Sequence, residues 1–369
     1  MLPRPLLVDW SFTSRCNLAC PFCRGYSRHE LDRERTLALA GEIAALRPER
    51  VIIEGGEPFL RAELPEVAAT IAAAGIPVTI FSNGTAVRFD WLAELQGLPV
   101  DVAVSIDADD EAAYRRARPG ADLAAVWHGV RGLRQAGALS GVVITASALN
   151  LAEVLPVIER ARASGAPSAS VIPIKPCPSY PRLRLAPARK AELYRQIASY
   201  RETTGYPIFV DEPFFEPCFG RDSAGPLGPV AAPGAGCAFG KYLFLAADGG
   251  VAPCTFADLR VGSVAQATLA AAWAAINLDP AIAAARDRRG LGGECGRCAD
   301  RERCGGCRVV SAAAAGGDLC APDPNCPRNH SSCGGEVVSP QRSQGAQRES
   351  EESQIALRAT TENENGLSC

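Results

Sequence analysis

No stretch of this chain is apolar for long enough to be a signal peptide or a membrane span. The N-terminus opens Met1-Leu-Pro-Arg-Pro and passes straight into a strand-like run, Leu6–Phe12. Charge of one sign is equally scarce. A net charge of -3 over 369 residues gives no electrostatic basis for capturing nucleic acid or an anionic membrane. Histidine is rare, and His29, His128 and His330 share no spacing that would make a general base or a metal motif. No internal repeat of fixed period is present. From about Ser331 onward aromatic residues vanish, and a Ser/Gln/Glu/Asn/Gly tail over 331–369 is expected to be disordered for want of apolar surface. Cysteine, by contrast, is abundant. Fifteen cysteines, an odd number, in a chain without a secretion signal argue for metal sites over a disulfide framework, and for a cytoplasmic protein.

From Leu6 to about Pro176 short β-branched runs alternate with alanine-rich helical stretches. Strands are expected at Leu6–Phe12, Arg50–Glu54, Val78–Ser82, Val100–Ile106, Val142–Ser147 and Ser170–Ile174. Helices are expected near Glu34–Leu46, Ala62–Ala74, Trp91–Leu95, Leu123–Gln135 and Leu151–Ala163. This alternation implies βαβ units around a parallel sheet, an α/β fold of the partial (β/α)6 TIM-like barrel type. A plain doubly wound sheet fits the periodicity too. In barrels of this kind the active site lies at the C-terminal ends of the strands. The expected divisions are a barrel over 1–180, a bridge over 181–235 with one helix at Pro187–Tyr200, a small Cys-rich domain over 236–330, and the tail.

Just past the first strand stands Cys16-Asn-Leu-Ala-Cys20-Pro-Phe-Cys23. Three thiolates spaced C-x3-C-x2-C can hold three irons of a cubane cluster and leave the fourth iron open. An electron-transfer cluster takes four cysteines. A zinc knuckle needs a fourth ligand, usually from a second, separated pair, and none follows nearby except His29. The spacing, with Asn17 and Phe22, resembles the radical S-adenosylmethionine (SAM) superfamily. The resemblance implies a [4Fe–4S] cluster whose open iron chelates SAM, with one-electron cleavage to a 5′-deoxyadenosyl radical. Further strand endings are similar to the same family. Gly55-Gly56-Glu57-Pro58 after the second strand corresponds to its SAM-ammonium motif. Ser82-Asn83 ends the third strand, Ser105 and Asp107 the fourth, and Asn150 follows the fifth; these are the SAM contacts that the resemblance implies. Each alone is ordinary turn chemistry.

A second cysteine set runs Cys237, Cys254, Cys295, Cys298, Cys304, Cys307 and Cys326. Its order resembles the SPASM extension, which carries two auxiliary iron–sulfur clusters. The resemblance assigns Cys295, Cys298, Cys304 and Cys326 to an outer cluster and Cys237, Cys254 and Cys307 to an inner one. Cys218 is the expected fourth inner ligand and Cys320 its rival. The Cys-Gly-Gly-Cys-Arg form at Cys304–Arg308 departs from the usual spacing by one residue. A structural zinc ribbon is the competing interpretation of these cysteines. Cys177, after the sixth strand, is a candidate hydrogen-atom donor, metal ligand or packing thiol. The implied activity is hydrogen abstraction from an unactivated C–H bond, most often on a ribosomal peptide or protein. The same chemistry on a tetrapyrrole is the alternative, since Cys304–Arg308 and Gly317…Cys326 look like haem-pathway members. An iron–sulfur electron carrier would need neither the Gly-Gly-Glu-Pro loop nor the polar strand ends. The expected partners are a ferredoxin or flavodoxin reductant, a peptide or small-molecule substrate, and a separate peptide-recognition protein.

Overall fold

The first strand, β1 (Leu7–Thr13), is buried at every position, although Asp9, Ser11 and Thr13 are polar. A strand buried on both faces belongs in the middle of a sheet covered on both sides. In the computed structural model, which describes residues 2–25, 29–220 and 236–329, β1 is central. It pairs in parallel with β2 (Arg50–Gly55), and parallel pairing continues through β3 (Val78–Ser82), β4 (Val100–Ser105), β5 (Leu139–Ala146) and β6 (Ala169–Pro173). The six expected strands therefore lie side by side in chain order.

Helices fill the connections: α1 (Arg33–Leu46), α2 (Leu64–Ala73), α3 (Phe89–Glu94), α4 (Glu111–Ala117), α5 (Leu123–Gln135) and α6 (Val154–Ala163). Asp32, Asp110 and Asp122 cap α1, α4 and α5 by accepting the N–H three residues on, which satisfies orphan donors of the first turn. The apolar stripe of α5, Leu123, Val126, Trp127, Val130 and Leu133, is buried at helical spacing.

Four further strands extend the sheet beyond the six expected. After α7 (Pro187–Thr204), β7 (Ile208–Val210) adds in parallel to β6, and the short α8 (Phe215–Phe219) follows. On the opposite edge β8 (Leu243–Leu245) runs parallel to β1, and β9 (Gly250–Ala252) and β10 (Gly262–Ser263) complete an antiparallel meander. The strand order is β10-β9-β8-β1-β2-β3-β4-β5-β6-β7, so among the described residues the sheet stays open. The Cys-rich segment thus joins the barrel sheet through β8. No described helix is long and apolar enough to cross a membrane. The tail expected to be disordered, and part of the bridge, lie outside the described residues.

Candidate active site

The loop leaving β1 carries Cys16, Cys20 and Cys23, all free thiols, with Cys16 and Cys23 exposed. Its shape is set by local hydrogen bonds. The Cys23 N–H donates to Cys20 O at 3.0 Å, and the Leu18 N–H points at Cys16 Sγ from 3.4 Å. Asn83 Nδ2 lies 3.8 Å from the same sulfur and donates to Asn17 Oδ1 at 3.0 Å. N–H groups aimed at sulfur are the surroundings that favour a thiolate ligand. Burial pushes the Cys16 thiol up, and the Cys20 thiol up to about 11. At the root of the loop Glu30 accepts from Thr13 Oγ1 at 2.6 Å and the Ser14 N–H at 2.7 Å, and pairs with Arg15 at 3.2 Å.

Gly55 and Gly56 lie against this loop. The Gly56 N–H donates to Thr13 O and the Glu57 N–H to Arg15 O, both at 2.7 Å. A Cβ on Gly55 would stand 2.3 Å from Thr13 O, and one on Gly56 would stand 2.0 Å from Arg15 O. Gly55 also holds φ +131°. The glycines therefore let the end of β2 pass closely over the cysteine loop, where a Cβ would collide with its backbone.

Glu57 is fully buried, and its carboxylate is spent on its neighbours. Oε1 accepts from Ser82 Oγ at 2.9 Å and from the Phe59 N–H at 3.3 Å; Oε2 accepts from the Asn83 N–H at 2.8 Å. Burial raises its pKa against these hydrogen bonds. Pro58 begins the short 3-10 turn that Glu57 caps.

Asp107 is likewise fully buried, and the partner that fixes it, Arg118, was not anticipated. Arg118 Nε donates to Asp107 Oδ2 at 2.6 Å, the Thr145 N–H donates to Oδ1 at 2.7 Å, and Arg118 stands 5.9 Å from the Phe22 ring centre. The signal lay in an arginine one short helix after the acid, and α4 had been missed. Asn150 bridges strand ends: Nδ2 donates to Asp107 O and Thr145 O, while Oδ1 accepts from Ser147. Ser105 is half-buried at the end of β4. Asp107 and Asn150 are thus committed to protein partners.

A cavity of about 620 Å³ is lined by Asp9, Glu54 and Phe81 of the sheet, by Lys175 just past β6, and by Cys237, Cys254 and Cys307. Burial pushes the Cys254 thiol up to about 12. A second hollow, of about 250 Å³, is lined by Cys295, Cys298, Cys304 and Cys326 with Gly305 and Gly306. The seven cysteines thus line two separate hollows, three at the first and four at the second. Cys218 departs from its expected set. It lies on α8 and hydrogen-bonds Cys326, which holds the Cys326 thiol down to about 7, so the structure puts Cys218 with the outer set and not with the inner. Its position follows from α8 packing, where Phe215 and Phe219 meet Tyr194 of α7. Among the described residues no three His, Cys, Asp or Glu side chains converge as they would around a single metal ion. Cys177 and Cys20 both pack against a small apolar cluster that includes Tyr180 and Phe22.

A parallel barrel sheet whose first loop bears three free cysteines, with glycine and polar strand ends gathered against that loop, defines an enzyme class built to hold a three-cysteine cluster beside a bound cofactor. Residues 10–150 match the family model described as Radical SAM superfamily, so this part of the chain is a radical SAM domain. The AdoMet-dependent heme synthase of Methanosarcina barkeri is 26% identical over 88% of this chain and 97% of its own length. The PqqA peptide cyclase of Xanthomonas campestris pv. campestris is 32% identical over 31% of this chain and 34% of its own. Streptococcus suis SuiB bound to its precursor peptide SuiA superposes with a TM-score of 0.70, at 15% identity, over 88% of this chain and 76% of that one; this likeness is one of fold.

Proposed function

We propose that the chain is a SPASM-type radical SAM enzyme that modifies a side chain of a ribosomally made peptide or protein. Cys16, Cys20 and Cys23 would hold the SAM-binding cluster, since all three are free on one loop with N–H groups directed at Cys16. When bound, the cluster and SAM supply a 5′-deoxyadenosyl radical for hydrogen abstraction. Cys237, Cys254 and Cys307 would hold an inner auxiliary cluster, and Cys295, Cys298, Cys304 and Cys326 an outer one.

The observation that carries this reading is the cavity whose wall is shared by the sheet face and the inner cysteine set. A substrate inside it would meet the inner cysteine set, an arrangement suited to oxidation of a substrate radical by a cluster held there. The chain's own contribution is positional: Glu57 and Asn83 hold the loop, and Arg118 and Asp107 hold the strand ends. A low-potential ferredoxin or flavodoxin is the expected reductant. Similarity along nearly the whole chain to heme synthases supports a second reading, the same chemistry on a tetrapyrrole. The acids of the cavity weigh against a substrate rich in carboxylates.

Anaerobic incubation of the reconstituted protein with SAM, reductant and either a precursor peptide encoded beside its gene or iron coproporphyrin III separates the two. Mass spectrometry should find the peptide short of a pair of hydrogens and the porphyrin unchanged. Loss of propionate carboxyls from the porphyrin, with the peptide intact, would reverse the order.

A further inference from the structure

We propose that Asp9 and Glu54 form the recognition end of the cavity for a cationic nitrogen group of the substrate, an ammonium or guanidinium such as a lysine or arginine side chain carries. The proposal deepens the peptide reading and rests on it. Asp9 stands in the middle of the central strand at 6% exposure, and its Oδ1 has no hydrogen-bond partner, yet the residue lines the cavity. An acid held in such a place costs stability unless something pairs with it. Glu54 faces the same way. The β1–β2 register sets Asp9 against Ile52 and Ser11 against Glu54, so alternation along both strands puts Asp9 and Glu54 on one face. Thr255 Oγ1 donates to Glu54 from 3.4 Å.

The cations nearby are engaged with other groups. Lys175 Nζ donates to Asp211 O at 2.6 Å and stands 3.5 Å from Glu212, which Lys190 also approaches at 3.1 Å. Arg24, whose charge reaches Glu54, donates to Pro176 O at 3.3 Å. Burial first, then repulsion from Glu54 and Asp211, holds the Asp9 carboxyl well above its usual range. These causes outweigh a hydrogen bond between Asp9 and Thr255, and a cation entering beside Asp9 would oppose them. Beside them Phe81 and Ile52 offer apolar surface for an alkyl stem.

Hexylamine, hexanol and hexanoate are suitable probes, titrated calorimetrically into the reconstituted holoprotein with SAM present. Hexylamine should bind at least about tenfold more tightly than hexanol, and hexanoate more weakly than either. The double variant Asp9→Asn, Glu54→Gln should lose the amine preference while keeping its SAM affinity and iron content, which also certifies its fold. Equal binding of amine and alcohol, or a preference that survives the double substitution, overturns the proposal. If the preference holds and no peptide is ever modified, the recognition site stands and the peptide reading falls.

Discussion

The carboxylate of Glu57 accepts the backbone N–H of Asn83 at 2.8 Å, and the side chain of that same Asn83 reaches toward Cys16 Sγ. One buried acid thereby ties the Gly-Gly-Glu-Pro turn, the end of the third strand and the cysteine loop into a single unit. Glu57→Ala would strand the Ser82 hydroxyl and the Asn83 N–H, at about 1–3 kcal/mol for a buried unsatisfied group. The variant should melt earlier and, because the cysteine loop loses its anchor, bind SAM about tenfold more weakly with its cluster intact. Unchanged affinity by titration calorimetry would refute this positioning role.

Most of this architecture is visible in the chain before folding, because each strand is a β-branched run and each helix an alanine-rich stretch. Val78–Ser82 and Leu123–Gln135 are expected and observed at identical limits. The elements that escaped are short. Seven residues of α4, three of β7 and the meander β8–β10 are too brief for periodicity to register. The consequences were local: without α4 nothing brings Arg118 to Asp107. Cys218 was assigned from its order along the chain, whereas the packing of α8 on α7 decides which thiol it meets. Asp9 was legible in principle, as an acid inside an apolar strand.

The three-cysteine loop carries the next prediction. Replacing Cys16, Cys20 and Cys23 together by alanine should abolish 5′-deoxyadenosine formation from SAM and dithionite. Anaerobically reconstituted triple variant should still contain substantial iron and sulfide if the seven later cysteines hold clusters. Undiminished 5′-deoxyadenosine, or zinc in place of that iron, would contradict the corresponding half of the reading.

Cys218 and Cys326 call for separate treatment, because the outer set already has four thiols without Cys218. Cys326→Ala should lose the iron of one cluster, whereas Cys218→Ala should keep it. Equal iron losses from the two variants would make Cys218 a ligand in its own right.

Arg118 and Asp107 form a buried pair at 2.6 Å, and breaking one side of such a pair leaves an uncompensated charge. Arg118→Ala or Asp107→Ala alone should cost about 3–5 kcal/mol, and the double variant less than the two costs added together. Denaturant titration of the four proteins in the cycle measures the coupling. Strictly additive losses would show that the pair does not act as a unit.

Glu54 links stability to pH, in a direction opposite to that of most acids. Burial lifts its pKa from the ordinary 4.5 to about 7 in the folded protein. The folded state therefore favours the protonated carboxyl, and the stability tied to this group declines as pH rises from the unfolded pKa through the folded one. Glu54→Gln keeps the shape and cannot ionise. Its melting temperature should approach that of the native protein near pH 5 and exceed it increasingly up to about pH 7, then hold a constant lead, worth at most about 3 kcal/mol. Anaerobic melting curves of both proteins from about pH 5.5 to about pH 8.5 follow the trend. A lead that shrinks as the pH is raised would mean that Thr255 and the charge of Arg24 stabilise Glu54 as the carboxylate more than burial disfavours it.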